Sequence, residues 1–460
     1  MSEWRVIQGD CLEVMRGMDA NSVDSIVTDP PAGIAFMSKS WDGDKGGRHQ
    51  WVAWLSEIMG EGLRVLKPGG MALVWALPRT SHWTAWALED AGFEVRDCVY
   101  HVFGSGFPKS LDISKAIDKS AGAEREVVGK RTDGMATNSG SGCYQMNDGA
   151  DTSMRRTFDE TAPATDAARL WQGWGTALKP AVECWWLAMK PLDGTFAQNA
   201  EKWGVAGINV DGCRVGTEGG ETHRGGCQDA MVGGKVARGG VDTDLTAKGR
   251  WPANLIHDGS EEVVGCFPVT IQRHRERTAR KGGNSGALGA FAGSTANAVG
   301  TWPADGGGSA ARFFKCCPPD GEEVRRLYYA PKASRAEREM GLEGMDRKAQ
   351  SEREGRDPCM NSKYTTDGRP QSITPPTANF HPTVKPLSLM KYLVRLTKTP
   401  TGGLVLDPFT GSGTTGMACV MEGRDFVGIE LSEEYLEIAR KRIESVDMQA
   451  QLSLPLAVEA

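Results

Sequence analysis

The sequence predicts an α/β fold with a parallel or mixed sheet that helices cover on both faces. Short apolar strands alternate with segments of helical periodicity along residues 1–118 and again along residues 375–447. The strand over 71–76 is continuously apolar, which is typical of strands buried on both faces. Functional residues in such sheets lie at the carboxyl ends of the strands. The residues that directly follow each strand are therefore the candidates for a site.

The N-terminal segment is predicted to hold four strands and three helices. The strands cover 4–8, 23–28, 71–76 and 98–102, and the helices cover 11–16, 51–66 and 80–91. Apolar residues at helical spacing predict the helix over 51–66, and the run KPGG at 67–70 predicts its end.

The C-terminal segment continues this alternation. Helices are predicted over 387–396, over 412–421 and from Ser432 to about residue 444, with strands over 403–406 and 426–429. Ser432 is a favourable N-cap for the last helix, which has Glu434 in its first turn.

Glycine, serine and threonine dominate much of the middle of the chain, as in residues 134–149, 216–240 and 282–308. Such segments bury little apolar area and read as loops. Two stretches, 171–191 and 251–257, are apolar enough to pack. We therefore predict two halves of one domain around an insert, with the divisions 1–118, 119–374, 375–447 and a tail at 448–460.

Composition excludes several classes of protein. The chain has 53 Lys plus Arg, 59 Asp plus Glu and a formal net charge of −6. No run approaches the ~20 apolar residues of a membrane span, and the first residues lack the pattern of a signal peptide. The 11 cysteines show no paired spacing, so we expect reduced thiols and no metal site. These features predict a cytoplasmic protein without membrane contact.

A glycine-containing loop follows the strand that ends before Asp407. The run from Asp407 to Thr415 reads DPFTGSGTT, and Glu430 ends the next strand. Gly411 and Gly413 let the backbone approach a ligand, and Glu430 is placed to accept both hydroxyls of a ribose. The absence of G-K-[ST] disfavours a P-loop hydrolase, and the missing third glycine weakens an NAD site.

A second candidate loop, Asp29-Pro30-Pro31-Ala32, follows the strand over 23–28. Two prolines remove two backbone donors, so the carboxylate and nearby carbonyls form a surface that only accepts hydrogen bonds. Its natural partner is an amino group, whose lone pair would then be free to meet an electrophile. A rigid turn without catalytic function is the simpler alternative.

Together these motifs resemble the amino (exocyclic) DNA methyltransferases. The motifs are Asp29-Pro30-Pro31, the run HPTVKP at 381–386 and the D-P-F-x-G-x-G-T-T run from Asp407. Their order is similar to that of the beta group, with the catalytic loop first, the target-recognition region next and the cofactor loop last. The middle blocks WGTALKP, GRWPANLIHD and PKASRAER are similar to the inserts of phage- and prophage-type members.

The resemblance implies a permuted, Rossmann-like, seven-stranded S-adenosylmethionine-dependent methyltransferase sheet with a large, partly irregular insert. Asp29, Pro30, Pro31 and Ala32 would form the catalytic loop, in which Asp29 and Pro30 hold the target amine. The residues implied at the cofactor are Asp10, Asp29, His381, Thr383, Lys385, Asp407, Phe409, Gly411, Gly413, Thr414 and Glu430. Glu430 would take the ribose, Asp10 would lie at the adenine, and His381, Thr383 and Lys385 would lie near the methionine end.

One position departs from the family pattern. Ala32 stands where the family usually has an aromatic residue that stacks on the extruded base, a contact worth ~1–3 kcal/mol. Phe36 and Trp41 follow closely and are candidates to replace it; packing within the loop is the alternative for both.

Arg273, Arg275 and Arg277 belong to the densest basic run and are predicted to contact DNA phosphates, with a solvated surface as the alternative. We expect a DNA methyltransferase acting on adenine N6. Cytosine N4, an RNA or small-molecule substrate, and a non-catalytic DNA-binding relic stay open. DNA is the expected partner, and the sequence leaves a homodimer open.

Overall fold

The computed structural model describes residues 2–36, 40–104, 106, 110–132, 157–215, 249–270, 308–317, 333–348 and 377–452.

Thirteen strands occur in the described residues. In chain order they are β1 Trp4–Gln8, β2 Val23–Thr28, β3 Leu66–Ala76, β4 Glu94–Val102, β5 Val127–Thr132, β6 Thr157–Thr161, β7 Val182–Met189, β8 Leu255–His257, β9 Val269–Thr270, β10 Gly308–Ser309, β11 Lys315–Cys316, β12 Leu404–Asp407 and β13 Asp425–Glu430.

Eleven α-helices occur in the same parts of the chain. They are α1 Cys11–Arg16, α2 Arg48–Val65, α3 Ser81–Asp90, α4 Ile113–Ser120, α5 Asp166–Leu170, α6 Phe196–Trp203, α7 Glu261–Gly265, α8 Arg335–Glu339, α9 Leu387–Leu396, α10 Thr414–Met421 and α11 Glu433–Leu452. None of these helices is both long and apolar enough to cross a membrane.

Nine strands form one mixed sheet in the order β1-β13-β12-β2-β3-β7-β4-β8-β11. β7 runs antiparallel to its neighbours β3 and β4. All other neighbouring pairs in this sheet are parallel. The predicted α/β fold class is therefore confirmed.

Strands from the two ends of the chain alternate in this sheet. β12 lies between β13 and β2, with Val405 paired to Ser25 and Leu406 to Ile26, and β1 pairs with β13. This is the permuted arrangement that the resemblance implies, since the last strands complete a sheet that the first strands begin.

The central part of the chain also contributes to the sheet. β7, β8 and β11 lie within residues 119–374, and β7 sits between β3 and β4. The sheet therefore extends across the predicted boundary at residue 119 and has nine strands where the resemblance implies seven. The apolar stretches 171–191 and 251–257 each supply one of these strands, although residues 171–181 are exposed.

Helices cover both faces of the sheet. Along β3, Leu73 and Trp75 join the core under α9, α10 and α11, whereas Ala72 and Val74 join the core under α2 and α3. The period of two along a strand produces this division, and it explains why residues 71–76 of β3 are continuously apolar.

Most element boundaries agree with the predictions to within a few residues, and β1, α1, β2 and α9 agree fully. The stretch 67–70 is an exception, because it belongs to β3 and not to the end of a helix. Gly69 N donates to Lys190 O and Lys190 N donates to Gly70 O, each at 3.0 Å. These bonds extend the β3–β7 ladder backwards, so α2 ends at Val65 and β3 begins at the next residue.

Candidate active site

The carboxyl ends of β2 and β12 meet at one edge of the sheet. Thr28, the last residue of β2, donates its hydroxyl to Asp407 Oδ1 at 2.6 Å. Because the two strands are parallel neighbours, the Asp29 loop and the glycine loop emerge side by side. The predicted proximity of these two loops is confirmed.

Asp407 organises the start of the glycine loop. Its carboxylate accepts from Phe409 N at 3.1 Å as well as from Thr28, and burial raises its pKa to about 6. Thr410 donates its hydroxyl to the Asp407 carbonyl at 3.0 Å. The side chain is thus occupied by intramolecular bonds that shape the loop.

Gly411 and Gly413 both have left-handed backbones, with φ of +54° and +80°. A Cβ on Gly411 would lie 2.9 Å from His381 Nε2, and one on Gly413 would lie 2.9 Å from the Ala439 Cα in α11. The turn and the close packing of these neighbours therefore require glycine. The expected approach of a ligand to the loop is a separate matter and stays a prediction.

Glu430 connects β13 to the glycine loop. Its Oε2 accepts from Gly411 N at 2.8 Å and its Oε1 accepts from Ser432 N at 2.9 Å. Burial raises its pKa. Backbone donors satisfy part of the carboxylate, and each oxygen has more than one acceptor site, so Glu430 can still accept from ribose hydroxyls.

Asp10 follows β1, whose last residue Gln8 pairs with Glu430. Its side chain is exposed and caps α1, accepting from Leu12 N at 2.9 Å and Glu13 N at 3.3 Å. The N-cap role is therefore visible, and the role at an adenine stays a prediction.

His381 packs between the glycine loop and α11. Burial lowers its pKa to about 3, and its Nδ1 accepts from Thr383 N at 3.3 Å. The ring is therefore neutral with its proton on Nε2, the atom that a Cβ on Gly411 would approach most closely. The Tyr435 ring contacts it edge-on, with ring centroids 4.6 Å apart.

Asp29 faces a lysine from the C-terminal half. Lys385 Nζ lies 3.3 Å from Asp29 Oδ2 and 3.7 Å from Glu183 Oε2, and it sits 3.7 Å above the centre of the Trp75 ring. Burial raises the pKa of Asp29 to about 6, although the nearby Lys385 opposes that rise. Lys385, which the resemblance implies at the cofactor, thus also contacts the predicted catalytic carboxylate.

Asp42 holds the loop that follows Asp29. Its carboxylate accepts from Gly33 N at 3.2 Å and from Phe36 N at 2.7 Å, while Pro30 is buried and Ala32 packs against the core. The Trp41 ring stacks on His381 at 6.3 Å between centroids. These contacts agree with the alternative stated for both residues, packing within the loop, and leave stacking on a base a prediction.

Phe409 and Thr414 are both held from behind the loop. The Phe409 ring packs on Trp54 at 5.8 Å. Buried Arg442 donates from Nη1 to Thr414 Oγ1 at 3.1 Å and to the Ser412 carbonyl at 2.5 Å. Arg442 thereby fixes the first turn of α10 against α11.

Sequence reasoning missed Glu183, Asp42 and Arg442. Glu183 is a lone acidic residue at the start of an apolar strand, and Arg442 lies at helical spacing from buried Ile438. A charged residue inside an apolar pattern is the signal that could have identified both. Arg273, Arg275 and Arg277 lie outside the described residues.

Comparison with known proteins shows local similarity to methyltransferases of DNA. Residues 317–441 match the N6/N4 methyltransferase family model, which is described as DNA methylase. This range is a little over a quarter of the chain and includes the glycine loop, but it excludes the Asp29 loop.

Curated relatives match over similar lengths. The type II methyltransferase M2.DpnII of Streptococcus pneumoniae is 50% identical over 68 residues, which is 15% of this chain and 25% of the relative. The DNA adenine methyltransferase YhdJ of Escherichia coli K12 is 44% identical over 64 residues, or 14% and 21% of the two chains. The match thus spans about a quarter of the length of these relatives.

Two solved structures align along almost the whole chain, but weakly. The M1.HpyAVI–SAM complex has a TM-score of 0.34 at 16% identity, with 96% of this chain and 98% of the other covered. The PvuII cytosine-N4-specific DNA methyltransferase has a TM-score of 0.40 at 12% identity, with 98% and 93% covered.

Proposed function

We propose that the chain is an S-adenosylmethionine-dependent DNA methyltransferase that methylates an exocyclic amine of a base. One observation carries the proposal: the Asp29 loop and the glycine loop leave adjacent strand ends, joined by the 2.6 Å bond from Thr28 to Asp407. A target amine at Asp29 and a cofactor at the glycine loop would meet at this edge. The family match over residues 317–441 supports this reading.

The described residues fit the cofactor. Glu430 retains acceptor capacity for the two ribose hydroxyls, and the buried first turn of α10 is fixed by Arg442. When bound, the cofactor supplies a methyl group on a positively charged sulfur. The residues proposed to hold it are Asp10, Asp29, His381, Thr383, Lys385, Asp407, Phe409, Gly411, Gly413, Thr414 and Glu430.

Asp29 is the residue proposed to position the target amine. An ionised carboxylate only accepts hydrogen bonds, and Pro30 and Pro31 contribute no backbone donors. An amine that donates its protons to Asp29 and to the Pro30 carbonyl keeps its lone pair free and oriented. Correct placement of the amine then supplies most of the catalysis.

Adenine N6 is the preferred target because the catalytic loop begins with Asp, where Ser would favour cytosine N4. Cytosine N4 is the second candidate. Ala32 in place of an aromatic residue allows a third candidate, a DNA-binding relic without catalysis. The base must leave the helical stack to reach Asp29 in either catalytic case.

The test is mass spectrometry of nucleosides from DNA of cells that express the chain. N6-methyladenine above the level of cells with the empty vector supports the first choice, and N4-methylcytosine supports the second. Asp29→Ala is the matched control, which should lose the product and leave cofactor affinity in calorimetry roughly intact, because the main partner of Asp29 is the target amine. Cofactor binding with no methylated nucleoside from the wild type would point to the relic.

The proposal also includes contact with DNA phosphates by Arg273, Arg275 and Arg277. It further includes the motif order of the beta group, an insert of the phage type and a homodimer. Reversing the three charges should weaken DNA binding and flatten its dependence on salt, since each phosphate contact releases counterions. An unchanged salt slope would return this run to the solvated surface.

A further inference from the structure

Lys385 is shared between two carboxylates at the predicted catalytic edge. Its ammonium lies between Asp29 on the loop after β2 and Glu183 on β7, at 3.3 and 3.7 Å. The Trp75 ring contacts the ammonium from a third side, and the lysine side chain is 10% exposed. One ammonium group is therefore close enough to pair with either Asp29 or Glu183.

Glu183 has unused acceptor capacity. Its Oε2 is buried and has no hydrogen-bond partner among the described residues. Buried carboxylate oxygens with a purely structural role are normally saturated with donors. Glu183 Oε2 lies 3.7 Å from Lys385 Nζ and can therefore accept a direct hydrogen bond from that ammonium.

The other titratable side chains that the structure describes near Asp29 and Glu183 do not provide a second cation for these carboxylates. His101 pairs with Glu183 across β4 and β7, but burial lowers the pKa of His101 and favours the neutral ring. Asp407 adds a second negative charge near Asp29, and Asp258 lies near His101. Lys385 is thus the one cation that faces both carboxylates in the described part of the chain.

A target amine that binds to Asp29 must displace the Lys385 ammonium from it. With Lys385 held by Asp29 alone, the amine would have to compete with a strong ionic contact for the same oxygens. With Glu183 present, the ammonium can move to Glu183 and remain paired while Asp29 accepts the amine. A buried ammonium without a partner would be costly.

We propose that Glu183 is a positioning residue for methyl transfer, which receives the Lys385 ammonium when the target amine binds to Asp29. The proposal rests on the function proposed above. It assigns to β7, outside the range of the family match, a part in preparing the catalytic carboxylate.

Glu183→Gln tests this inference because it removes the charge and keeps the shape. The value of kcat/KM for DNA should fall on the order of tenfold, with cofactor affinity unchanged in calorimetry. The negative charge of Glu183 raises the pKa of Asp29. Its removal should therefore move the acid limb of the pH–rate profile to lower pH.

Two further variants are controls. Glu183→Asp keeps the charge and should restore the wild-type acid limb and most of the rate. If the Gln variant does not fold, Glu183→Met, which also removes the charge, takes its place in the test. Glu94→Gln removes an exposed carboxylate on the neighbouring strand β4 and should change neither quantity.

A second readout needs neither DNA nor cofactor. The stability difference between the wild type and Asp29→Asn, followed from about pH 4 to pH 8, reports the pKa of Asp29. The midpoint of this pH-dependent stability difference should lie at lower pH when both proteins also carry Glu183→Gln.

The possible failures are distinguishable. If the wild type methylates DNA and Glu183→Gln keeps its rate and acid limb, the role of Glu183 is overturned. A lower rate with an unchanged acid limb and an unchanged stability midpoint would make Glu183 structural and also overturn it. If the wild type methylates no DNA, the proposed function fails, and the positioning role falls with it.

Discussion

Asp29 is subject to two opposing demands. Acceptance of an amine requires the ionised carboxylate, yet burial favours the neutral acid and raises its pKa to about 6. Lys385 offsets only part of this effect. The site thus keeps Asp29 charged at neutral pH at a cost in stability, which is common at functional sites.

The first prediction concerns the pH dependence of methyl transfer. The single-turnover rate at saturating cofactor should fall as the pH drops through about 6, because the protonated Asp29 no longer accepts both hydrogen bonds. Asp407 has a similarly raised pKa, but its protonation would act on the glycine loop. Measurement of cofactor affinity at each pH separates the protonation of Asp29 from that of Asp407. A rate that stays constant down to pH ~5 would contradict the role of Asp29.

The second prediction concerns stability. The folded-state pKa of Asp29 lies above the ordinary value of 3.8, so the wild type loses stability as the pH rises through the window from 3.8 to about 6. Asp29→Asn has no such loss. It should therefore have a higher Tm than the wild type at pH ~7.5 and a smaller advantage at pH ~4.

Asp166→Asn is the control for this measurement, because Asp166 is 98% exposed and should give no comparable gain. A lower Tm for Asp29→Asn at neutral pH would show that the pairing with Lys385 outweighs the desolvation of Asp29.

The third prediction concerns Gly411. An alanine there has to adopt φ near +54° and places its Cβ 2.9 Å from His381 Nε2. The left-handed backbone alone costs about 1–2 kcal/mol, and displacement of His381 should additionally weaken cofactor binding. Calorimetry and chemical denaturation measure the two effects.

Gly122→Ala separates strain from contact. Gly122 has φ of +65°, and a Cβ there meets nothing within 4 Å. Gly122→Ala should therefore lose about as much stability as the alanine variant of Gly411, with unchanged cofactor affinity. Equal affinity in both variants would mean that His381 does not support the cofactor.

At the scale of the element, Asp42 holds the described part of the loop after β2 through backbone hydrogen bonds. Asp42 accepts two backbone bonds across the loop, from Gly33 and Phe36, and Ala35 N donates to the Asp42 carbonyl at 2.6 Å. Trp41 is thereby directed onto His381. The ring is thus part of the contact between the catalytic loop and the C-terminal half.

The fourth prediction uses Trp41→Ala. If Trp41 stacks on an extruded base, single-turnover methylation should fall by a factor on the order of ten or more, matching ~1–3 kcal/mol. The stack on His381 predicts in addition a weaker affinity for the cofactor. Phe36→Ala is the comparison, and wild-type rates in both variants on duplex and single-stranded DNA would exclude both rings as the replacement for the missing aromatic.

At the scale of the whole molecule, the two ends of the chain share one sheet and a set of buried hydrogen bonds, from which we expect one cooperative unit. Arg424 is 1% exposed and donates from Nη2 to Ser25 Oγ in β2 at 2.9 Å and from Nη1 to the Val394 carbonyl in α9 at 3.0 Å. With β12 between β2 and β13, neither half has a complete sheet alone.

The fifth prediction follows from Arg424. Arg424→Met leaves several buried acceptors without their donor and should lower the free energy of unfolding by about 3–5 kcal/mol. Arg16→Met removes an exposed ion pair with Glu57 and should change it by less than about 1 kcal/mol. Denaturation followed by fluorescence and by circular dichroism should show one shared transition, and two separate transitions would contradict the single unit.

Local patterns in the sequence determined the elements of both ends of the chain, because apolar periodicity and caps act over a few residues. They determined β1, β2 and α9 fully, and they located Asp29, the glycine loop and Glu430 at strand ends. Only the tertiary structure decided which strands are neighbours, and thus that Lys385 lies between Asp29 and Glu183. Only packing decided that Trp41 contacts His381 and that β7 completes the sheet. These contacts join residues far apart in the chain, and no local pattern specifies a partner at that distance.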